Sequence, residues 1–255
     1  MDENEFEKFS ESERAMYADF KRRINLQAAR AQIKKIEYNL SDVTAGMSAV
    51  KSACQDAEGL ELGGVCVAPS FVKSCSNYLG ATSKRKSSLI ACISYPNGGD
   101  TTDIKVKAAK RAIKDGADEV EVTAPIAQIR DGNFQYVRRE FKKLRSATKK
   151  RSLRISVECD LLTKNDIMRL CTLAAECRVN SVKASTGTYG SGGVQLIADI
   201  RSAIKDKCTI KAEGIASVSE LSNAVDMGAQ VVGSRNAPAV ARYILAAADN
   251  ESLAK

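Results

Sequence analysis

An alternation of short apolar segments with longer amphipathic ones runs along nearly the whole chain and restricts the possible folds more than any other feature. The eight short segments are predicted strands at residues 35–40, 63–69, 88–96, 117–125, 153–159, 180–186, 208–214 and 228–234. Parallel strands need helical crossovers, and eight such units close into a barrel. The pattern therefore predicts an α/β fold of the (β/α)8 TIM-barrel type. A doubly wound open sheet is the alternative, but it usually has fewer units and a nucleotide-binding loop.

The amphipathic segments complete this architecture. They lie at residues 45–57, 70 onward, 103–115, 133–149, 164–177, 193–204, 218–227 and 237–248. A further helix at 5–32 makes residues 1–33 an N-terminal helical extension. The glycine-rich segment 187–193 lacks the ending of a P-loop and is interpreted as the loop after strand six. No Pro- or Ser-rich linker interrupts the chain, so we expect a single domain over residues 1–255.

The chain contains no histidine, which removes several kinds of catalytic chemistry. His-based triads, His-ligated zinc and imidazole acid–base catalysis are all excluded. Proton transfer must then use lysine, carboxylate, tyrosine, cysteine or water. The eight cysteines form no C-x-x-C pair and most lie in apolar stretches, so we expect buried thiols in a reducing cytosol.

The chain is strongly basic, with a formal net charge of +8 and an isoelectric point of about 9.0. This charge favours anionic partners: a phosphorylated sugar, another anion, or an acidic protein or filament. Nucleic acid is a weaker interpretation because no recognition motif accompanies the charge.

No apolar run approaches the roughly 18 residues of a membrane span, and the acidic start MDENEFEKF lacks a signal core. We therefore expect a cytoplasmic protein, as a monomer or homodimer.

Polar residues at the ends of the predicted strands mark the candidate active site, because barrel chemistry lies at the C-terminal ends of the strands. They are Glu37, Cys66, Asn97, Glu121, Glu158, Lys183, Ser185, Lys211 and Glu213. Lys183 is the strongest candidate, since a lysine inside a buried strand is costly unless it is paired or used. Desolvation and a nearby cation would lower its pKa and leave an amine that can form a Schiff base. A strand-end lysine that reaches out to water is the alternative.

The strand around Lys183 carries a specific resemblance. VKASTG, at 182–187, resembles the VKTSTG strand of deoxyribose-phosphate aldolases, whose lysine forms the Schiff base. Four more segments match in order: VCVAPSFV resembles VCVNPSYV, GADEVEV resembles GADEIDM, SVECDLLT resembles IIETGLLT, and TIKAEGIAS resembles VKASGGIRT. The resemblance extends from about residue 36 along nearly the whole chain, and it also implies a barrel.

The resemblance implies reversible aldol cleavage of 2-deoxyribose 5-phosphate to acetaldehyde and glyceraldehyde 3-phosphate, with no metal or other cofactor. By position, Lys183 would be the nucleophile, Lys211 would depress its pKa, and Glu121 would move protons through water. Backbone amides of a Gly-Gly pair and serines after strand eight would hold the phosphate. The positions concerned here are Gly214, Ser234, Arg235 and Asn236, together with Ser185 after strand six.

Several departures from the family pattern fall in this site. On strand four the family's Asp becomes Glu121, which reaches one methylene further. Misplacing an acid–base group by about 1 Å can cost on the order of 100-fold in rate. On strand one the family's Asp-His-Thr becomes Glu37-Tyr38-Asn39, and on strand six Ala184 replaces Thr. These changes alter hydrogen bonds around the nucleophile without removing it.

Strand seven departs furthest from the family. The family reads Lys-x-x-Gly-Gly-Ile, whereas this chain reads KAEGI at 211–215, which is one residue shorter. Without a gap, Ile210 takes the lysine position and Lys211 faces outward, because side chains alternate along a strand. With a gap, Lys211 faces inward and a phosphate-binding glycine is lost.

Either alignment puts Glu213 beside the expected phosphate site. Two like charges about 5 Å apart repel by roughly 3 kcal/mol at an effective dielectric of about 20, and a phosphate dianion is repelled more. After strand eight the family's Gly-Thr-Ser-Ser becomes Gly233-Ser234-Arg235-Asn236, in which Arg235 could pair with Glu213 or bind an anion.

These observations leave two functions of different classes. The first is a divergent aldolase-like protein with weak or lost activity on 2-deoxyribose 5-phosphate and a binding or scaffold role. Its basic runs at 84–86, 138–139, 142–143 and 149–151 would contact an acidic partner such as an actin filament. The second is an active class I aldolase that works through a Lys183 Schiff base. The departures slightly favour the first, and the direction of Lys211 discriminates between them.

Overall fold

Eight parallel strands close into a barrel in the order β1 to β8, with β8 paired to β1. The computed structural model describes residues 10–41, 44–80, 84–190 and 194–250. The strands are β1 (Ile36–Leu40), β2 (Gly64–Val67), β3 (Ser88–Ile93), β4 (Glu119–Thr123), β5 (Ser152–Ser156), β6 (Ser181–Lys183), β7 (Thr209–Ala212) and β8 (Val231–Ser234). The predicted TIM barrel is confirmed, and the open-sheet alternative is wrong.

Helices follow the strands around the barrel. Those in the described residues are α1 (Glu11–Ile33), α2 (Met47–Leu60), α3 (Val72–Leu79), α4 (Thr102–Lys114), α5 (Ile126–Arg130), α6 (Phe134–Thr148), α7 (Lys164–Glu176), α8 (Ile197–Ile204), α9 (Val218–Asp226) and α10 (Ala237–Asn250). The short helix α5 was not expected from the sequence. None of these helices is long and apolar enough to cross a membrane.

Successive side chains of each strand point to opposite faces of the sheet, which separates the apolar core from the barrel interior. On β5, Leu153 and Ile155 are fully buried in the main hydrophobic cluster, which lies between the strands and the surrounding helices. The residue between them, Arg154, is also buried but makes its contacts with carboxylates across the barrel. The same period of two on the other strands sends polar side chains inward, so the fold concentrates charge at its centre.

One side of the interior is apolar. Cys66, Ile90 and Cys92 form a separate small cluster there, with Tyr95 packed against it. Gly64 makes room for this cluster, because a Cβ at its position would lie 2.5 Å from Cδ1 of Ile90. All eight cysteines are buried and free, in keeping with the buried thiols expected from the sequence.

The N-terminal helix α1 packs on the last helix, α10. It begins with a capping box, in which Ser10 and Glu13 satisfy each other's backbone amides. Ile33 at its other end is fully buried, and Arg22 forms a 2.7 Å ion pair with Asp249 of α10. The predicted extension is therefore helical and attached to the barrel; its first predicted residues, 5–9, lie outside the described residues.

Candidate active site

Charged side chains from five strands meet inside the barrel. They are Glu37 of β1, Glu119 and Glu121 of β4, Arg154 of β5, Lys183 of β6, Lys211 of β7 and Glu213 just after β7. All are buried except Glu119, whose side chain is 15% exposed. Buried charges are tolerated only when they are paired, so this cluster must be understood as one network.

Lys183 lies near the centre of the network. Its Nζ atom is 2.8 Å from Oε1 of Glu121 and 2.8 Å from Oε2 of Glu213. The residue is 1% exposed, so the alternative of a lysine that reaches out to water is wrong. A fully buried ammonium group with two carboxylate partners matches the expectation of a lysine that is paired or used.

Lys211 also points into the barrel. It is the register partner of Lys183 on the neighbouring strand, and it is fully buried. Its Nζ atom lies 2.6 Å from Oε2 of Glu37, 3.3 Å from Oε2 of Glu121 and 3.7 Å from Oε2 of Glu213. The ungapped alignment of strand seven is therefore wrong. The missing residue falls after β7, which ends at Ala212, and the strand itself keeps its register.

Glu121 joins the two lysines, with one carboxylate oxygen near each. Burial alone would raise its pKa. The charges of Lys183, Lys211 and then Arg154 outweigh burial and hold the pKa of Glu121 well below its ordinary value. The longer side chain that replaces the family's Asp is thus fully ionised and in direct contact with the candidate nucleophile.

The pKa of Lys183 is raised well above its ordinary value. Burial would lower it, but the carboxylates of Glu121 and Glu213 outweigh burial because they stabilise the ammonium form. The pKa of Lys211 is raised for the same reason: burial lowers it, and Glu121 and Glu37 more than reverse this. The expectation that Lys211 makes Lys183 a free amine is therefore wrong for the resting site. Lys183 must first give a proton to a carboxylate.

Arg154 was not among the site residues predicted from the sequence. Its guanidinium makes two hydrogen bonds to Glu37, at 2.7 and 2.8 Å, and one of 3.1 Å to Glu121. It also forms a 2.7 Å ion pair with Glu119. The alternation of β5 could have revealed it, because apolar residues flank Arg154 on both sides and must face the helices.

Glu213 fills the space between two backbone segments. A Cβ at Gly233 of β8 would lie 2.4 Å from Oε2 of Glu213, and one at Gly187, in the loop after β6, would lie 3.2 Å from its Cγ. The side chain thus lies against glycine on both sides and is 3% exposed. Its ion pairs are with the two lysines rather than with Arg235.

Two loops meet over this end of the barrel. The hydroxyl groups of Tyr95, after β3, and Thr188, after β6, are 2.5 Å apart. Asn97 lies after β3 as well, but it lines a neighbouring cavity of about 780 Å³ between the loops after β3, β4 and β5. Neither lysine lines that cavity, so the network is enclosed beneath the loops.

A family model described as DeoC/LacD family aldolase matches residues 22–235. The chain belongs to the DeoC/LacD aldolase family. Relatives named deoxyribose-phosphate aldolase, from Finegoldia magna and Clostridium botulinum, are 30% and 31% identical over 205 and 203 residues. Each match covers 78% of this chain, and the matches cover 93% and 94% of the relatives. The resemblance found around Lys183 therefore reflects family membership.

Solved structures agree on the fold. An aldolase named QR15 superposes with a TM-score of 0.80 at 23% identity, covering 88% of this chain and 98% of its own. The deoxyribose phosphate aldolase from Aeropyrum pernix gives a TM-score of 0.75 at 20% identity, covering 87% and 94%. At such identities the likeness supports the barrel and not a particular substrate.

Within this aldolase-family barrel, the serines expected at a phosphate are already engaged. Oγ of Ser185 lies 2.8 Å from Oε1 of Glu158 and 3.1 Å from Oδ2 of Asp160. Ser234 is fully buried, and its Oγ accepts a hydrogen bond from the backbone N–H of Asn236. The Ser185 hydroxyl group therefore joins the loops after β5 and β6, and the Ser234 hydroxyl group stabilises its own loop.

The other residues expected at the phosphate do not line the lysine network. Arg235 and Asn236 are exposed. Gly214 is exposed too and has φ 83°, and a Cβ there would have no atom of a described residue within 4 Å. Glycine is favoured at this position by the left-handed backbone rather than by the close approach of another group.

Proposed function

We propose that this family member is a class I aldolase in which Lys183 forms a Schiff base with a small aldehyde or 2-deoxyaldose. The observation that carries the proposal is the shared carboxylate: Glu121 contacts both buried lysines, and these are register partners on adjacent strands. A nucleophile, a second cation and an acid–base group are thereby in direct contact. The relatives named above are deoxyribose-phosphate aldolases, which supports this reaction class.

The first step is a proton transfer. The Lys183 ammonium group gives one proton to Glu121 or Glu213, each 2.8 Å away. The free amine then adds to the carbonyl carbon and forms a carbinolamine, and loss of water gives the protonated Schiff base. The carboxylate that took the proton is placed to return it to the leaving hydroxyl group.

Carbon–carbon cleavage follows from the Schiff base. A carboxylate removes the proton of the substrate's β-hydroxyl group, the acceptor aldehyde leaves, and the bonding electrons move into an enamine on Lys183. Protonation of the enamine carbon and hydrolysis then release acetaldehyde and restore the amine. Lys211 supplies a fixed positive charge beside the reacting nitrogen, which stabilises the carboxylates in their ionised form.

The inward direction of Lys211 supports activity over its loss. The strongest reason to expect a degraded site was that Lys211 could face outward, and its contacts with Glu37 and Glu121 remove that reason. Glu121 stands where the family has Asp, and its carboxylate contacts both lysines. The additional methylene therefore does not separate the carboxylate from them. A carboxylate that bridges two amines is a functional arrangement for proton transfer.

Trapping tests the proposal. Incubation with acetaldehyde and borohydride should leave an ethyl group on Lys183, located by peptide mass spectrometry. Lys105 is the matched control, because it is equally buried and lies 2.8 Å from Glu140 but is on α4, outside the barrel interior. Lys183→Met should lose the label and the release of acetaldehyde from 2-deoxyaldose substrates. A folded protein with no label at Lys183 would contradict the proposal.

A second candidate function is the binding of an acidic partner such as an actin filament, and one observation favours it. Cationic residues of two predicted basic segments, 142–143 and 149–151, together with two further arginines, surround a depression of about 590 Å³ at the ends of β5 and β6 opposite the lysines. Those that line it are Lys142, Arg145, Lys149, Lys150, Arg151 and Arg178. No carboxylate is among the described residues that line it. This surface is separate from the lysine network, so the two functions do not exclude each other.

A further inference from the structure

The charged network inside the barrel has more carboxylates than cations. Among its described residues, Glu37, Glu119, Glu121 and Glu213 face only Arg154, Lys183 and Lys211. With every group ionised, the network carries one net negative charge. Each of the three cations already has at least two carboxylate partners, so none of them is available to an incoming anion.

Glu213 differs from the other carboxylates of this network because it has no ion pair with Arg154. Arg154 contacts the other three carboxylates. Within the part of the chain that the structure describes, the ion pairs of Glu213 are only with the lysines, at 2.8 Å to Lys183 and 3.7 Å to Lys211. Glu213 is therefore not needed to neutralise Arg154, although it lies in direct contact with the candidate nucleophile, Lys183.

The position of Glu213 also removes space. Its carboxylate rests on Gly233 and its Cγ lies close to Gly187, so the side chain occupies the gap between the end of β8 and the loop after β6. An anionic group of a substrate that came to this side of Lys183 would have to displace the carboxylate or lie against it. Both are unfavourable, because like charges in a buried site repel strongly and are poorly screened.

We infer that Glu213 makes this site selective for uncharged carbonyl substrates, that is, unphosphorylated short aldehydes and 2-deoxyaldoses. The inference rests on the proposed Schiff-base function and names its substrate class. An uncharged substrate meets no repulsion from Glu213, and its hydroxyl groups can donate hydrogen bonds to the carboxylate. Glu213 thus acts as a specificity residue in the site that Lys183 and Glu121 serve.

The test is a ratio of specificities. The kcat/KM for 2-deoxyribose is divided by the kcat/KM for 2-deoxyribose 5-phosphate, in the wild type and in Glu213→Gln. The wild-type ratio should exceed one, and Glu213→Gln should lower it by about tenfold or more because one negative charge is removed. The ratio cancels the effect that the variant has on the pKa of Lys183, since that effect is common to both substrates. Glu176→Gln, which removes an exposed carboxylate of α7, should leave the ratio unchanged.

Each outcome decides a separate claim. A wild-type ratio below one, or a ratio unchanged in Glu213→Gln, overturns the inference alone, provided that acetaldehyde still labels Lys183. Failure of that labelling in the wild type overturns the proposed function and the inference together. Inhibition by inorganic phosphate gives a second measurement that needs no folded variant. It should be weak in the wild type, and strong competitive inhibition would overturn the inference.

Discussion

Lys183 has two carboxylate neighbours, and their negative charges determine whether its side chain is protonated. Glu121 and Glu213 contact it directly, and Lys211 and the thiol of Cys66 also face it. Their combined effect raises the pKa of Lys183, so that the group is an ammonium ion at neutral pH. The amine needed for Schiff-base formation is therefore a minor species, which becomes more abundant as the pH rises.

The rate of Schiff-base formation should consequently increase with pH through the neutral and mildly alkaline range. Below the pKa, the fraction of free amine grows by about tenfold per pH unit. Glu213→Gln removes one group that stabilises the ammonium form, so the pKa of Lys183 should fall and the profile should move to lower pH. Initial rates of borohydride trapping with acetaldehyde, measured from pH 6 to about 10, would check both statements.

Two outcomes would contradict this prediction. A trapping rate that falls as the pH rises would mean that a protonated group limits the reaction, and an unmoved profile in Glu213→Gln would mean that Glu213 does not act on Lys183. Lys105→Met provides a control, because it removes a buried lysine whose partners, Glu140 and the backbone carbonyl of Thr123, lie outside the interior network. Its trapping profile should match that of the wild type.

At the scale of single residues, sequence patterns identify some side chains of the site, and only the geometry of the folded chain identifies the others. Lys183 and Glu121 were found from their positions in family-like strands. Lys211 was found, but its direction was undecidable because a missing residue could be placed before or after it. Arg154 was overlooked because its partners are 33 and 117 residues away in the chain, which makes the pairing invisible to local inspection.

At the scale of elements, β5 connects strands that are distant around the barrel. Its Arg154 side chain binds Glu37 of β1 and Glu119 and Glu121 of β4. β4 is the neighbour of β5, but β1 lies on another side of the closed sheet. The contact between β5 and β1 therefore spans the interior and holds two parts of the barrel wall together.

Replacing this arginine should destabilise the barrel strongly. Arg154→Met keeps an unbranched side chain but leaves three carboxylates without their cation, and breaking a buried ion pair typically costs about 3–5 kcal/mol. The free energy of unfolding, from denaturant titration followed by circular dichroism, would measure this loss. Arg111→Met is the control, because Arg111 is 72% exposed and pairs with Asp115, the residue that follows the same helix. Its effect should stay below about 0.5 kcal/mol. Equal effects for the two variants would contradict the argument.

The strands are shorter than the sequence patterns indicated, and the reason is physical. Strand six was predicted over 180–186, whereas β6 covers Ser181–Lys183. The next residues still look strand-like, but Ser185 and Thr186 bind the side chain of Glu158 instead of extending the ladder. Apolar and small residues predict burial, and burial continues into these loops after the ladder has ended.

At the scale of the whole molecule, charge is divided between outside and inside. The chain has a net charge of +8, yet its interior network, with every group ionised, is negative by one charge. The basic excess is thus carried by the remainder of the chain, and part of it surrounds the depression beside β5 and β6. The anionic partner expected from the net charge stays a prediction, for which the depression offers a basic surface. The net charge gives no information about the negative network in the interior.

If the basic depression binds an acidic filament, the binding should depend on salt and on specific lysines. Cosedimentation with actin filaments should decrease between low and high salt, because the Debye length falls from about 10 Å at 0.1 M to about 3 Å at 1 M. The double variant Lys149→Glu and Lys150→Glu should bind at least about tenfold more weakly. The control Lys73→Glu changes an exposed lysine on α3, away from the depression.

Two results would count against this second function. One is the absence of cosedimentation at low salt, and the other is an equal loss of binding in Lys73→Glu and the double variant. Lys183→Met should bind like the wild type, since Lys183 is buried in the barrel and does not line the depression.

The spacing of Lys211 and Glu213 has a consequence for how this site can change by mutation. The two residues are separated by one position, so both side chains enter the interior from the same face of β7 and its continuation. A one-residue insertion or deletion in the strand before Lys211 would turn both away together, whereas one in the loop beyond Glu213 would turn neither. Descendants of this chain can therefore vary in length beyond Glu213, whereas a shift of register within the strand removes the second lysine and its neighbouring carboxylate from the site together.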